Sequence, residues 1–259
     1  MIGQKKLKNK IDTFTINNFP HSVLLLGEYG SEKEEICEYI SLKLDIPTYD
    51  ITNLISEEYI HDIYSMLNYG IYIINSNEIS EREQNILLKF FEEPNQYIYI
   101  ILSAESKANL LDTIVTRSYE MKLDKYSKEE LIPLCKNELI DLELELASTP
   151  GMVEELNHLD LKALNTLCEN IVNKLSVANY QNTLTITNKI NFKDEYDKFP
   201  LWAFVKELSN VILRYILINN EINPNLYWLI SDFRKNYIFM NDKKRYFENL
   251  LTRMWLEVR

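Results

Sequence analysis

The chain has 259 residues, of which 46% are hydrophobic, which is enough for a sizeable core and for more than one domain. Its 28 basic and 39 acidic residues give a formal net charge of -11. This balance argues against a protein that grips nucleic acid alone, because phosphate contacts need clustered Lys and Arg. No apolar run approaches the roughly 20 residues of a membrane span, and the polar N-terminus lacks the apolar segment of a signal peptide.

The three cysteines are Cys37, Cys135 and Cys168, and they lie far apart in the sequence. Their spacing argues against a disulfide scaffold and against a tetrahedral zinc site. We therefore expect a protein of the reducing cytoplasm that holds no metal.

The first half of the chain alternates between helical and extended patterns. A helix is predicted over 6–14, and a buried apolar strand over 22–26 that ends at Gly27. Further helices follow over 31–44 and 80–92, and further strands over 70–74, 97–102 and 118–123. Strands that alternate with helices predict a mostly parallel sheet with helices on both faces.

The second half is helical throughout. Residues 124–157 predict short helices, with a capping box at Ser127–Glu130 and a turn at Thr149-Pro150-Gly151. From His158 onward the apolar spacing predicts longer helices over 161–175, 180–189, 200–219, 225–237 and 243–258. The chain is thus expected to be an α/β domain followed by all-α parts.

A degenerate phosphate-binding loop lies between the first strand and the next helix. The motif G-x-x-x-x-G-K-S/T requires a glycine before its lysine and a hydroxyl after it. Here Gly27, Gly30 and Lys33 are present, but Glu32 replaces the glycine and Glu34 replaces the hydroxyl residue. Two unit charges about 4 Å apart repel by roughly 4 kcal/mol at an effective dielectric of about 20. We therefore expect this loop to hold no nucleotide.

The strand at 70–74 ends in a second altered motif. In phosphate-hydrolysing loops of this type, an Asp at the strand end holds Mg²⁺ and an acidic neighbour activates water. Here Asn75 and Ser76 occupy the strand end, and neither can serve as an acidic ligand or a general base. Changes at both catalytic positions predict a scaffold that is kept for binding rather than for hydrolysis.

The longest motif resembles a known family. Residues 84–94 read QNILLKFFEEP and residues 103–118 read SAESKANLLDTIVTRS, similar to the corresponding segments of AAA+ clamp-loader subunits. Ile2-Gly3-Gln4 and residues 19–27 fit the same family. The resemblance implies an AAA+ domain over 1–123, a helical lid over 124–157 and an all-α collar domain for oligomerisation over 158–259.

Within that family, the delta-prime type combines a failed nucleotide site with a retained arginine. Arg117 matches the arginine finger, which reaches the ATP γ-phosphate of a neighbouring subunit. The resemblance implies an accessory subunit that is no enzyme alone and binds no cofactor. Its implied partners are ATPase and clamp-opening subunits, a sliding clamp and, through the complex, primer-template DNA.

Two alternatives stay open at this point. The chain could be a working AAA+ ATPase subunit of a clamp loader, which Lys33 favours and the four altered catalytic positions oppose. It could also be an AAA+-shaped adaptor such as a helicase loader. Ala104 and Glu105 occupy the region of the family's sensor threonine, and the family's zinc-binding cysteine insert is missing, so the chain departs from the ordinary bacterial pattern.

Overall fold

The computed structural model describes residues 2–66, 69–92, 95, 97–177, 199–218, 224–236, 249–250, 252–253 and 256. The chain forms two compact units. The first comprises Met1–Leu134 with Ser148–Met152, and the second comprises Cys135–Ala147 with Val153–Arg259. The helix predicted at 180–189 lies outside the described residues, as does most of the one predicted at 243–258. The division into an AAA+ domain, a lid and a collar stays a prediction.

The first unit contains a five-stranded sheet in which every pair of neighbouring strands is parallel. The strands are β1 (Ser22–Leu26), β2 (Thr48–Asp50), β3 (Gly70–Asn75), β4 (Ile98–Ala104) and β5 (Tyr119–Lys122). Their spatial order is β2-β3-β4-β1-β5. The parallel sheet expected from the sequence is confirmed. Strand β2 was not predicted, because it is a three-residue edge strand whose side chains are largely exposed and give no apolar run.

Most of the described helices lie where the sequence predicted them, and two further helices, over 57–66 and 112–117, were not predicted. The described helices are α1 (Lys5–Asp12), α2 (Lys33–Leu44), α3 (Glu57–Met66), α4 (Glu81–Glu92), α5 (Asp112–Arg117), α6 (Lys128–Leu131), α7 (Ile140–Leu146), α8 (Pro150–Leu156), α9 (Leu161–Val177), α10 (Leu201–Ile218) and α11 (Pro224–Asn236). No helix of the described part is both long and apolar enough to span a membrane.

Successive strand residues point to opposite faces of the sheet, and each face carries its own apolar core. Leu24 packs in a cluster with residues of α3, α4 and α5, including Phe90 and Ile114. The next residue, Leu25, packs on the other face with residues of α1 and α2, including Ile11 and Ile36. The sheet is therefore covered on both sides, as a buried parallel sheet requires.

The second unit is helical in its described residues. Helix α10 packs against α9, α7 and α11. Its core includes the fully buried Leu164, Cys168 and Leu208. The Trp202 indole N–H donates to the Glu155 carboxylate at 2.9 Å, which satisfies the one polar atom of a largely buried aromatic ring.

Candidate functional site

The loop between β1 and α2 keeps a strained backbone. Gly27 follows β1, and its N–H donates to the Ala104 carbonyl at 3.0 Å. Gly30 has a φ of 70°, and Glu32, the N-cap of α2, has a φ of 57°. The left-handed region costs a non-glycine residue about 1–2 kcal/mol. Glu32 therefore adopts the left-handed conformation that suits a glycine. The phosphate-loop motif has a glycine at this position.

The ammonium group of Lys33 is turned back onto its own loop. The side chain is buried, and Nζ donates to the carbonyls of Gly27 and Glu28, each at 3.0 Å. Burial lowers the pKa of Lys33, and Glu105 and Glu34 oppose that shift. The ammonium group of Lys33 is thus already bonded to carbonyl oxygens of the protein. In a phosphate-binding loop, the lysine at this position bonds to the phosphate instead.

Carboxylates stand on both sides of this lysine in the sequence. Glu32 accepts a hydrogen bond from the Ile2 backbone N–H at 3.4 Å, and partial burial raises the pKa of Glu32. Glu34 lies exposed in the first turn of α2, where the positive end of the helix dipole stabilises its carboxylate. That end is the part of a phosphate loop that normally receives the anion.

A second segment of the same unit packs directly on the loop. Thr149 donates through its hydroxyl to the Tyr29 carbonyl at 2.8 Å, and the Gly151 N–H donates to the Gly30 carbonyl at 2.9 Å. A Cβ added at Gly151 would lie 2.8 Å from the Gly30 Cα. The predicted turn at 149–151 is therefore the start of α8, with its proline in the first turn, and it covers the loop closely.

A pocket of about 520 Å³ lies beside the loop. Its charged lining is mixed and contains four acidic and three basic residues: Glu28, Glu105, Lys107, Glu120, Lys122, Asp124 and Lys125. Lys107 is paired with Glu120. The lining therefore lacks the concentrated positive charge that a polyphosphate group requires.

At the end of β3, the Asn75 side chain is occupied by its own turn. Its amide donates to the Glu78 carboxylate at 2.6 Å, and its carbonyl oxygen accepts from the Asn77 N–H at 3.2 Å. Ser76 is buried. The described residues contain no group of His, Cys, Asp and Glu side chains arranged to hold a metal ion. The structure shows that Asn75 serves as a local cap, and the replacement of an acidic pair by Asn75 and Ser76 stays a prediction.

Arg117 is the last residue of α5 and lies on the surface. Its guanidinium donates to the Thr113 carbonyl at 3.1 Å and lies 3.4 Å from the Glu92 carboxylate. The arginine side chain is 41% exposed and the glutamate 47%. Exposed ion pairs contribute about 0–1 kcal/mol, so little energy is needed to redirect this arginine to another acceptor.

The structure separates Arg117 from the loop. Tyr119, two residues after Arg117, pairs with Val23 near the start of β1, whereas the loop follows Leu26 at the other end of that strand. A five-residue strand spans about 16 Å. The loop residues Gly27, Gly30 and Lys33 thus lie together at the carboxyl edge of the sheet, and Arg117 lies at the amino edge.

Comparison with known proteins supports this architecture. The family model described as DNA polymerase III, delta subunit, matches residues 43–127, about a third of the chain. No curated protein sequence matches. Among solved structures, a DNA polymerase III gamma subunit-related protein from Thermotoga maritima is similar, with a TM-score of 0.50 and 17% identity over 99% of this chain and 100% of that one.

A variant of RuvB from Thermotoga maritima is also similar, with a TM-score of 0.51 and 15% identity over 94% of this chain and 87% of that one. At these identities the structural likeness defines the fold, which is the AAA+ fold expected from the motifs. Together with the family match, it supports a clamp-loader-like AAA+ protein. The roles assigned to Gly27, Gly30, Lys33 and Arg117 stay predictions.

Proposed function

We propose that this chain is a non-hydrolysing clamp-loader subunit of the delta-prime type, which supplies Arg117 to ATP held by a neighbouring subunit. The observation that carries the proposal is the self-occupied loop. Lys33 bonds to its own loop carbonyls, and residues 149–151 pack on the loop from outside. A subunit with such a loop contributes to an ATP-driven assembly through what it offers its neighbours.

The position of Arg117 fits this role. At the amino edge of the sheet it is about one strand length from its own loop, so it is too far away to contact a phosphate held at that loop and is placed to serve a neighbouring subunit instead. A guanidinium suits that task because it is permanently charged and planar, and it presents several donors to phosphoryl oxygens. Its exposed pairing with Glu92 keeps the side chain ordered until a stronger acceptor arrives.

The family match and the AAA+ fold support other replication subunits as partners. We infer that ATPase subunits and a clamp-opening subunit complete the assembly with this chain. That assembly would place a sliding clamp on primer-template DNA in the cytoplasm. The chain itself would bind no nucleotide cofactor and would act as an accessory subunit of the DNA polymerase holoenzyme.

The experiment is to reconstitute the loader with the unmodified chain and with Arg117→Ala, and to measure DNA-stimulated ATP hydrolysis. Arginine fingers contribute about 10³–10⁵ in kcat where they are essential, so a decrease of about tenfold or more is expected even if other groups compensate in part. Arg117→Lys should also lose activity, because it keeps the charge but lacks the planar fork.

The matched control is Arg82→Ala, which removes another exposed arginine of the same unit from α4. It should assemble and hydrolyse ATP at the unmodified rate. If Arg117→Ala assembles and hydrolysis is unchanged, the arginine-finger role is wrong and an adaptor function, such as helicase loading, becomes the better explanation. Hydrolysis by the chain alone would instead identify a working ATPase subunit.

A further inference from the structure

Helix α1 presents an unusual surface for so acidic a chain. Four of its eight residues are lysines, Lys5, Lys6, Lys8 and Lys10, and all four are exposed. At 100° per residue these side chains, Asn9 and the exposed Asp12 cover the outward arc of the helix, and Leu7 and Ile11 point inward. We call these four lysines the α1 lysine face.

The lysines at the start of α1 oppose the stability of the helix. A helix N-terminus favours carboxylates, and each favourable or unfavourable charge is worth about 0.3–1 kcal/mol. The helices α2, α3 and α4 each have two acidic residues in the first turn, whereas α1 has none and begins with Lys5 and Lys6. Lys5 and Lys6 are therefore not explained by the folding needs of the helix, whereas Lys10 lies in the last turn, where a cation is favourable.

The lysine face is held firmly in place. Leu7 and Ile11 are buried in the core shared with α2 and β1. Just before the helix, the Gln4 side chain makes two 2.8 Å hydrogen bonds with the backbone of Asp124. The backbone that carries the lysines is therefore ordered before binding, and the entropy cost that remains is the ordering of the lysine side chains.

Two of the lysines also lie against aromatic rings. The ammonium of Lys8 lies 5.1 Å from the centroid of the Tyr39 ring, and that of Lys10 lies 4.6 Å from the Tyr119 ring. None of the four lysines belongs to an ion pair within the described residues. Their charges are thus available to an outside partner.

The composition of the face identifies the chemistry of that partner. Protein interfaces are enriched in aromatic residues, Met and Arg and depleted in Lys, and a membrane-surface helix needs exposed apolar residues. The outward arc of α1 has four lysines, one asparagine and one aspartate, and it has no apolar side chain. Sequence-independent nucleic-acid binding, by contrast, depends on lysines and arginines that neutralise backbone phosphates.

We propose that the α1 lysine face binds the phosphate backbone of nucleic acid directly. The overall charge of -11 does not prevent this, since the Debye length is about 8 Å at 0.15 M ionic strength and distant acidic groups are screened. The chain would then add its own contact with the DNA on which the proposed assembly acts, beyond the contacts made by its neighbours.

The test is fluorescence anisotropy of a labelled primed DNA with the full-length chain alone, across a salt series. The variant has glutamine in place of Lys5, Lys6, Lys8 and Lys10. The affinity of the variant for DNA should fall about tenfold or more at low salt. The slope of log binding constant against log salt concentration should decrease in magnitude by about 0.9 for each phosphate that the variant no longer neutralises. Replacing the same four lysines with arginine should keep the binding, because the charge is retained.

The matched control places glutamine at four other exposed lysines of the same unit, Lys43, Lys122, Lys125 and Lys128. It removes the same charge and should bind DNA like the unmodified chain. The proposal is overturned if the control loses as much affinity as the α1 variant, or if the unmodified chain fails to bind at low salt. It is also overturned if polyglutamate competes as well as unlabelled DNA, since the face would then serve an acidic protein. The assay involves no ATP, so its outcome is independent of the role of Arg117.

Discussion

At the residue scale, the loop after β1 shows that backbone shape and chemical function can be separated. Glu32 adopts the left-handed conformation of the missing glycine, so the path of the chain is preserved. The chemistry differs from that of the motif in two ways. Glu32 adds a carboxylate where the backbone N–H groups of a phosphate loop approach phosphate, and the Lys33 ammonium is bonded to carbonyls of its own loop. The loop thus keeps its structural link between strand and helix, while its charged side chains differ from those of the phosphate-binding motif.

The buried carboxyl group of Glu207 gives a residue-scale prediction. The residue is fully buried in the second unit and accepts a 2.8 Å hydrogen bond from Arg214. Burial raises its pKa above the ordinary 4.5, although Arg214 opposes the shift. Because the folded-state pKa is the higher one, the stability linked to this group is present below pH 4.5 and is lost as the pH rises through the folded-state pKa.

We therefore expect Glu207→Gln to flatten the decrease of Tm with rising pH above 4.5, because the variant has no charge to desolvate. The measurement is thermal unfolding across a pH series. The control is Glu154→Gln, which changes an exposed carboxylate of the same unit and should follow the unmodified profile. Identical profiles for the unmodified chain and Glu207→Gln would show that the buried carboxyl does not contribute this pH dependence.

At the element scale, local signals decided the secondary structure wherever they were strong. The predicted capping box at Ser127–Glu130 is confirmed: the Ser127 side chain accepts from the Glu130 N–H, and the Glu130 side chain accepts from the Ser127 N–H. Helix α6, which it starts, has only four residues. So short a helix depends on its cap, because nucleation is costly and few internal hydrogen bonds follow.

Removal of this cap should be measurable. Ser127→Ala is expected to lower the free energy of unfolding of the first unit by about 1 kcal/mol, the usual weight of an N-cap side chain. Urea denaturation should show the difference as a lower midpoint. Ser127→Asp keeps a capping oxygen and should stay close to the unmodified chain. A loss of equal size in both variants would mean that the hydroxyl acts through some other contact.

At the scale of the whole molecule, the prediction concerns the response to nucleotide. A ligand present at about 100 times its Kd stabilises the folded state by about 2.7 kcal/mol. Because the loop is self-occupied and flanked by carboxylates, we expect Mg-ATP to leave the Tm of this chain unchanged. The measurement is a thermal-shift titration, with an ATP-binding AAA+ subunit as the positive control. A rise in Tm that depends on ATP concentration would favour the alternative of a working ATPase subunit.

The sequence by itself determined the features that are encoded locally. Apolar runs that alternate with helical spacing specified a parallel sheet covered on both faces. The departures from the phosphate-loop motifs at Glu32, Glu34, Asn75 and Ser76 could also be identified from the sequence, and their effect on catalysis stays a prediction. These inferences needed no partner residue from elsewhere in the chain, because strand burial, helix amphipathicity and motif chemistry are properties of neighbours in sequence.

Only the tertiary structure decided which side chains meet. Residues 149–151 cover a loop about 120 positions earlier, and Lys33 bonds inside its own loop. Arg117 lies at the opposite edge of the sheet from that loop. The edge strand β2 also escaped prediction, since its three residues carry no apolar pattern. Contacts between distant segments depend on how packed elements fit together, and a pattern of neighbours along the sequence does not contain that information.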